Sequence, residues 1–146
     1  MTFDALIKQI CDDMDISTVY ITAKIDGKRH NECDIEIGAI DKYPCLGRLF
    51  NESDSEVKTG AGYMSKRSMM LYMIKQEQPE TLEEKAAICD ECIELLKEFV
   101  IKIRAYGFTV DYVRDPYRSA GITDNADVGA TCQIDVTYNP CKLKSM

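Results

Sequence analysis

The sequence predicts an α+β fold in which an antiparallel sheet carries an N-terminal helix and one long helix packed across it. Residues 128–138, VGATCQIDVTY, alternate without a break between an apolar side and a small or polar side, which is typical of a strand. Residues 82–106 repeat apolar side chains at helical spacing. Strand-like segments cluster before and after this helix instead of alternating with helices, and that order favours an antiparallel sheet.

Length and composition predict one domain. The 146 residues are 45% apolar, which is enough for one core. We therefore expect an α+β domain over residues 1–138, with a flexible insertion at 51–66 and a C-terminal tail at 139–146. No run approaches the roughly 18 consecutive apolar residues of a membrane span. The N-terminus lacks the basic region and cleavage site of a signal peptide.

The first fifty residues predict a helix and three strands. Apolar residues recur three or four apart over 3–14, which predicts an amphipathic helix. Alternating segments at 19–25 and 33–39 flank the polar stretch DGKRHN and predict an antiparallel hairpin. YPCLGRLF (43–50) predicts a third strand, and Pro44 favours its placement at an edge.

The next strand is apolar on both sides. It follows the polar, glycine-containing stretch 51–66, which predicts a structureless insertion. RSMMLYMIKQ (67–76) then predicts a strand covered on both faces, and a second protein chain is one candidate for the second cover. The nearby methionines fit either a core or a subunit interface. These are Met64, Met69, Met70 and Met73.

The long helix has clear start and stop signals. Thr81 and Glu84 have capping-box spacing, a stripe beginning at Leu82 continues for about 25 residues, and Gly107 is placed to end it. At about 1.5 Å per residue the helix is a rod of roughly 38 Å. A strand begins at 108–112, a connection follows at 114–127, and the alternating strand closes the domain.

Net charge and cysteine content narrow the function classes. The net charge of −7 disfavours a protein that grips nucleic acid, although an acidic wall could surround DNA without holding it. Seven cysteines, an odd number, without a secretion signal predict reduced thiols in a protein made inside the cell.

No catalytic, cofactor or metal site can be argued from the residues. Cys89 and Cys92 form a CxxC that would suit a redox pair or half a zinc site, but their spacing also fits the buried stripe of the helix, which we favour. The single histidine, His30, lies in a polar turn. KTGAG (58–62) lacks the order of a phosphate loop. We expect no enzyme activity and no cofactor.

The order of elements resembles the small head–tail joining proteins of tailed bacteriophages, of the neck-ring and tail-terminator type. The similarity spans nearly the whole chain. It rests on the YPCLGRL and RSMMLYMIK strands, the acidic helix from TLEEKAAICDECIELL onward, and the final strand entered through ITDNADVG. Phage and prophage proteins of gut Bacteroidetes are similar here. The final strand of the family usually carries an aromatic soon after the glycine. Ala130 and Cys132 stand there instead, which leaves the subclass open.

The resemblance implies a virion protein, made in the cytoplasm of the bacterial host, that forms a hexameric or dodecameric ring. Such a ring would contact the portal or an adjacent connector ring and tail proteins, with double-stranded DNA passing through its lumen without specific binding, and no membrane. The stretch 51–66 would be an arm between rings or facing the lumen. Candidate subunit-interface residues are Lys58, Thr59, Tyr63, Met64, Lys66, Arg67, Met69, Tyr117, Arg118, Asp124 and Asn125.

Two other functions stay open. A small cytosolic adaptor would bind a peptide or protein along the edge of its sheet. A metal or redox protein would use the CxxC, although its cysteines lack the further ligands that a zinc site needs.

Overall fold

The computed structural model describes residues 1–23, 33–34, 40, 42–60, 62–77, 79–120 and 128–146. The predicted α+β class is confirmed. In chain order the elements are α1 (Phe3–Asp13), β1 (Ser17–Ala23), β2 (Cys33–Asp34), β3 (Cys45–Leu49), β4 (Ser53–Thr59), β5 (Gly62–Lys75), α2 (Leu82–Ala105), β6 (Thr109–Ala120), β7 (Val128–Tyr138) and α3 (Pro140–Lys144). His30, Asp124, Asn125 and most of the predicted strand 33–39 lie outside the described residues.

The seven described strands form one sheet in the order β2-β1-β3-β5-β7-β6, with β4 paired to β5 as well. Every pair is antiparallel except β1 with β3, which run parallel. The prediction that Pro44 places its strand at an edge is wrong, because β3 lies between β1 and β5. Pro44 immediately precedes β3, so its missing N–H removes no hydrogen bond from the ladder, and its carbonyl accepts from Ser17 N at 3.3 Å.

Helices α1 and α2 form where their apolar stripes predict, and α2 begins at its predicted cap. The Thr81 side chain accepts from Glu84 N at 3.1 Å, and the Glu84 carboxylate accepts from Glu80 N at 2.9 Å. Glu84 thus reaches one residue further back than in a capping box. The buried stripe of α2 includes Cys92, Leu96, Phe99, Val100 and Ile103. Leu82, predicted on that stripe, is 81% exposed because it lies in the first turn, beyond the end of the core.

One hydrophobic cluster joins the helices to one face of the sheet. Residues of α1, α2 and α3 pack in it with alternate residues of the central strands, such as Leu71, Cys132 and Ile134. On β5, Met69 and Met73 belong to this core, whereas Met70 and Tyr72 face the other way and are half-buried. The prediction of a second cover over that other face stays a prediction.

The stretch predicted as a structureless insertion, 51–66, instead contains β4 and the start of β5. These strands pair antiparallel from Ser53↔Ser68 to Thr59↔Gly62. Gly62 adopts a φ of +124°, a conformation that glycine tolerates best. The sequence pattern misses β4 because nearly all its side chains are exposed, so no apolar alternation marks it.

The structure corrects two further predictions, one for the connection after residue 113 and one for the C-terminal tail. The connection expected from residue 114 onward is strand as far as Ala120. Pro116 is accommodated there because β6 ends the sheet order and its pairing with β7 shifts register between Tyr112 and Tyr117. The expected tail forms the short helix α3, whose Leu143 is buried. Among the described residues, no helix is both long and apolar enough to cross a membrane.

Candidate subunit interface on the β4–β5 hairpin

The β4–β5 hairpin projects beyond the rest of the sheet. Strand β7 pairs with β5 only from Ser65 onward, so Gly62–Met64 pair with β4 alone. Three residues of strand correspond to an overhang of about 10 Å. Within the described part of the chain, no strand pairs with the outer edge of β4. Among the described strands, the hairpin therefore has one edge, that of β4, whose backbone groups pair with no other strand.

The tip of the hairpin carries an exposed aromatic side chain. Tyr63 is 65% exposed and lies opposite Lys58 in the strand pairing. The Thr59 hydroxyl donates to the Gly62 carbonyl at 2.9 Å and braces the turn. Met64, on the opposite face, is half-buried. The Tyr63 side chain is therefore exposed beside a turn that is closed by a hydrogen bond.

The base of the hairpin is held by buried charges. Arg48 on β3 is 3% exposed, and Glu52, between β3 and β4, has a side chain 4% exposed. Glu52 Oε1 accepts from Arg48 Nη2 at 2.7 Å and from Arg67 Nη1 at 3.1 Å. Arg67 also donates from Nε to Asp54 at 2.7 Å. One carboxylate thus links β3 to β5 at the root of the hairpin.

The arginines at this base remain charged. Burial alone would lower the pKa of Arg48 and of Arg67, but their hydrogen bonds to carboxylates outweigh it and raise both values. Arg67 also lies over the Phe3 ring, 4.8 Å from the centroid. Through Phe3 and Asp4, which accepts from Arg48 at 2.9 Å, the same cluster attaches the start of α1 to the hairpin base.

The structure brings together most of the predicted interface residues on the hairpin. Lys58, Thr59, Tyr63, Met64 and Lys66 lie on its exposed or half-exposed surface, and Lys66 Nζ lies 3.8 Å from Asp135. Arg67 is placed in the charge cluster at the base. Met69 was also predicted at the interface, but it is 1% exposed and packs in the chain's own core because it faces the helices. It is therefore not available to a partner.

Tyr117 and Arg118 lie away from the hairpin, on β6. Through β7, Tyr117 is level with Tyr72 and Arg118 with Met73, toward the far end of β5. Arg118 makes a bidentate pair with Asp90 of α2, at 2.9 and 3.0 Å. The Arg114 guanidinium lies 3.9 Å from the centroid of the Tyr117 ring.

A cavity beside Arg118 was not predicted from the sequence. It has a volume of about 310 Å³ and lies between the first turns of α2 and the end of β6. Its lining residues are Leu82, Lys85, Ala86, Cys89, Arg118, Ser119 and Ala120. Only the tertiary structure places these two segments together. Of its lining residues, Arg118 is an interface candidate from the sequence, and Leu82 is placed there at the start of the apolar stripe.

The cysteines of the CxxC belong to the buried face of α2. Cys89 is 4% exposed and donates its thiol to the Ser119 carbonyl at 3.6 Å, while Cys92 is fully buried. Burial raises the pKa of Cys92 to about 12, so its thiol is neutral at physiological pH. Among the residues that the structure describes, no group of three or more His, Cys, Asp or Glu side chains could hold a metal ion.

Comparison of the chain with known protein families, with curated proteins and with solved structures finds no match.

Proposed function

We propose that this protein is a virion structural protein that forms an oligomeric ring at the head–tail junction of a tailed bacteriophage, as a connector, neck ring or tail terminator. The resemblance in the order of its elements supports this function. The observation that carries it is the projecting β4–β5 hairpin, whose outer strand has no partner within the described residues.

An open strand edge on a projecting hairpin favours association with another chain. Two-stranded hairpins are marginally stable in water on their own, and an exposed edge is a template for further pairing. The ion pairs of the buried Glu52 hold the base of this hairpin, which lowers the ordering cost of binding a partner there. A neighbouring subunit can cover the edge and the Tyr63 side chain together.

The charge of the chain suits a conduit for DNA. A net charge of −7 on each subunit, repeated around a ring, repels phosphates and lets double-stranded DNA pass without specific binding. The remaining partners are the portal or an adjacent connector ring on one side and tail proteins on the other. In this proposal the ring is a hexamer or a dodecamer.

Light scattering after size-exclusion chromatography, followed by negative-stain electron microscopy, tests the proposal. At micromolar concentration we expect particles many times heavier than the 16.5 kDa chain, seen as rings with a central hole. Replacing Lys58–Tyr63 by an Asn-Gly turn between Val57 and Met64 shortens the hairpin in register and should reduce assembly. A protein that stays monomeric alone, and also with the portal and tail proteins of its own phage, contradicts the proposal.

The open edge of β4 also favours a second function, that of an adaptor that binds a partner peptide as an added strand. An adaptor would remain a monomer or dimer and would bind an extended peptide, with hydrogen-exchange protection confined to β4. Rings in the micrographs would exclude this alternative.

A further inference from the structure

We propose that the open edge of β4 pairs antiparallel with the same edge of a second copy, about a two-fold axis that passes beside Val57. The contact makes the sheets of the two copies continuous. The inference rests on the proposed function in that it takes the partner of β4 to be a subunit of the same assembly. Because a two-fold contact closes after two copies, it joins two facing rings, and other surfaces close each ring.

The charges of β4 complement a second copy of the same strand. Glu56 and Lys58 are two residues apart in the strand, so they share one face of the hairpin, and both are exposed. Neither forms an ion pair with a described residue. When Val57 lies opposite Val57 of the second copy, each Glu56 lies opposite a Lys58. Two cross-strand pairs of opposite charge result, and such pairs stabilise a sheet.

The charges also select this register over its neighbours. Directly opposite residues of an antiparallel pair share a face, so the pairing can shift only in steps of two residues. A shift one way sets Glu56 against Glu56 of the second copy, and a shift the other way sets Lys58 against Lys58. Like charges directly opposite destabilise the pairing. The first shift also brings Asp54 opposite Lys58, but Asp54 already accepts a hydrogen bond from Arg67.

The remaining charges on this face do not oppose the contact. Asp54 and Arg67 are paired with each other in the hairpin, so the acidic and basic residues of the face are equal in number. Two copies can therefore meet here although each chain has a net charge of −7. Lys58 lies opposite Tyr63 in its own hairpin, so in the contact it stands between Tyr63 and Glu56 of the second copy.

The opposite face of the hairpin gains an apolar contact in the same register. Val57 lies opposite Met64 of its own hairpin, and both side chains are half-buried. With Val57 on the axis, the two copies form one row of four apolar side chains, a Met64 at each end and the two Val57 side chains in the middle. Lys66, on this face, already lies 3.8 Å from Asp135. The register thus covers Val57 without leaving a new charge unpaired.

Charge reversal tests the register. Glu56→Lys sets Lys against Lys58 of the second copy, and Lys58→Glu sets Glu against Glu56, so each variant alone should associate at least about tenfold more weakly. Because the contact closes after two copies, each should form particles of half the wild-type mass in sedimentation. An equal mixture of the two variants restores both pairs of opposite charge and should recover the wild-type mass. The double variant Glu56→Lys, Lys58→Glu should also recover it.

Matched controls and the pattern of outcomes separate this contact from the ring. Glu98→Lys and Lys97→Glu make the same changes of charge at exposed positions of α2 and should keep the wild-type mass. If both β4 variants assemble like the wild type, or if their mixture does not recover, the inference is overturned and the ring proposal stands. Dimers that follow the charge pattern but never form rings overturn the ring proposal alone. A wild type that is always monomeric overturns both.

A cross-link gives a second measurement that does not depend on charge. In a Cys141→Ser background, which removes an exposed thiol, Val57→Cys places one cysteine directly opposite its copy, within reach of a disulfide. Oxidation should give a dimer on non-reducing gels. Ser53→Cys is the control, because its two copies lie eight residues of strand apart, about 27 Å. Monomer alone from Val57→Cys, or an equal dimer band from Ser53→Cys, would overturn the inference.

Discussion

The carboxylate of Glu52 accepts two hydrogen bonds from the guanidinium of Arg48, from Nη2 to Oε1 at 2.7 Å and from Nε to Oε2 at 2.9 Å. Both side chains are only 4% exposed, so this bidentate pair is sheltered from water. Arg67 shares Oε1 of the same carboxylate. The arrangement ties the end of β3 and the start of β4 to β5, and through Asp4 to α1.

Removing this carboxylate should destabilise the fold strongly. Glu52→Ala leaves a buried guanidinium without its main partner, and breaking a buried pair from one side costs about 3–5 kcal/mol. Asp54→Asn is the matched control, because Asp54 binds Arg67 but its side chain is 52% exposed, and an exposed pair contributes about 0–1 kcal/mol. The free energies of unfolding, measured in urea, should differ accordingly. Equal losses in the two variants would show that Glu52 has no special structural role.

The charge cluster also predicts how stability depends on pH. Burial alone would raise the pKa of Asp4, but the hydrogen bond and charge of Arg48 outweigh it and hold that pKa below its usual value. A carboxyl group whose pKa is lowered by folding stabilises the protein above its unfolded pKa of about 3.9 and loses this effect as the pH falls through its folded pKa.

Asp4→Asn should therefore be less stable than the wild type at pH 6, and the difference should shrink below about pH 4. Urea midpoints measured across this range test the sign. Asp12→Asn, on the same helix and exposed, serves as the control and should change the midpoint little at pH 6. A difference between Asp4→Asn and the wild type that grows as the pH falls would contradict the assigned interaction with Arg48.

The elements that the sequence predicts well are those with one buried face. Helix α2 and strand β7 each repeat their apolar residues at the period of their secondary structure, because each packs one side against the core. Strand β4 and the second half of β6 have few buried side chains on either face. Their strand conformation depends on pairing with β5 and β7, which a local pattern does not reveal.

The residues of the candidate site also differ in how well the sequence predicts their position. The hairpin residues from Lys58 to Arg67 are close in sequence, so the sequence alone is enough to place them near one another. Met69 continues the same strand, but its neighbours in space are core residues, and alternation alone does not show which face the helices cover. The cavity beside Arg118 joins residues about thirty positions apart, such as Cys89 and Ser119, and forms only when α2 lies on β6.

The thiols should react at very different rates. Burial raises the pKa of Cys11, Cys92 and Cys132 to about 12, which keeps them protonated, whereas Cys141 is exposed. Because the thiolate is the reactive form, a maleimide at pH 7.5 should label Cys141 well before those three cysteines. Peptide mapping by mass spectrometry follows each site, and denaturation in urea should abolish the order. Early labelling of Cys92 in the folded protein would contradict its burial.

The end of α2 gives a test of backbone conformation. Gly107 has a φ of +85° and its N–H donates to the Arg104 carbonyl at 2.9 Å, so it ends the helix in a conformation that other residues adopt at a cost. A Cβ at this position would also contact Lys142 Nζ, at the far end of a flexible side chain. Gly107→Ala should lower the free energy of unfolding by about 1–2 kcal/mol, mainly through backbone strain.

Two further variants test whether backbone strain causes the loss of stability in Gly107→Ala. Gly60→Ala introduces the same methyl group where nothing lies within 4 Å of it, so the free energy of unfolding should change by less than about 0.5 kcal/mol. Lys142→Ala combined with Gly107→Ala removes the side-chain contact but keeps the backbone strain. If the loss in Gly107→Ala comes from φ, it persists in the double variant. Recovery of stability there would assign the loss to the Lys142 contact instead, because only that contact has been relieved.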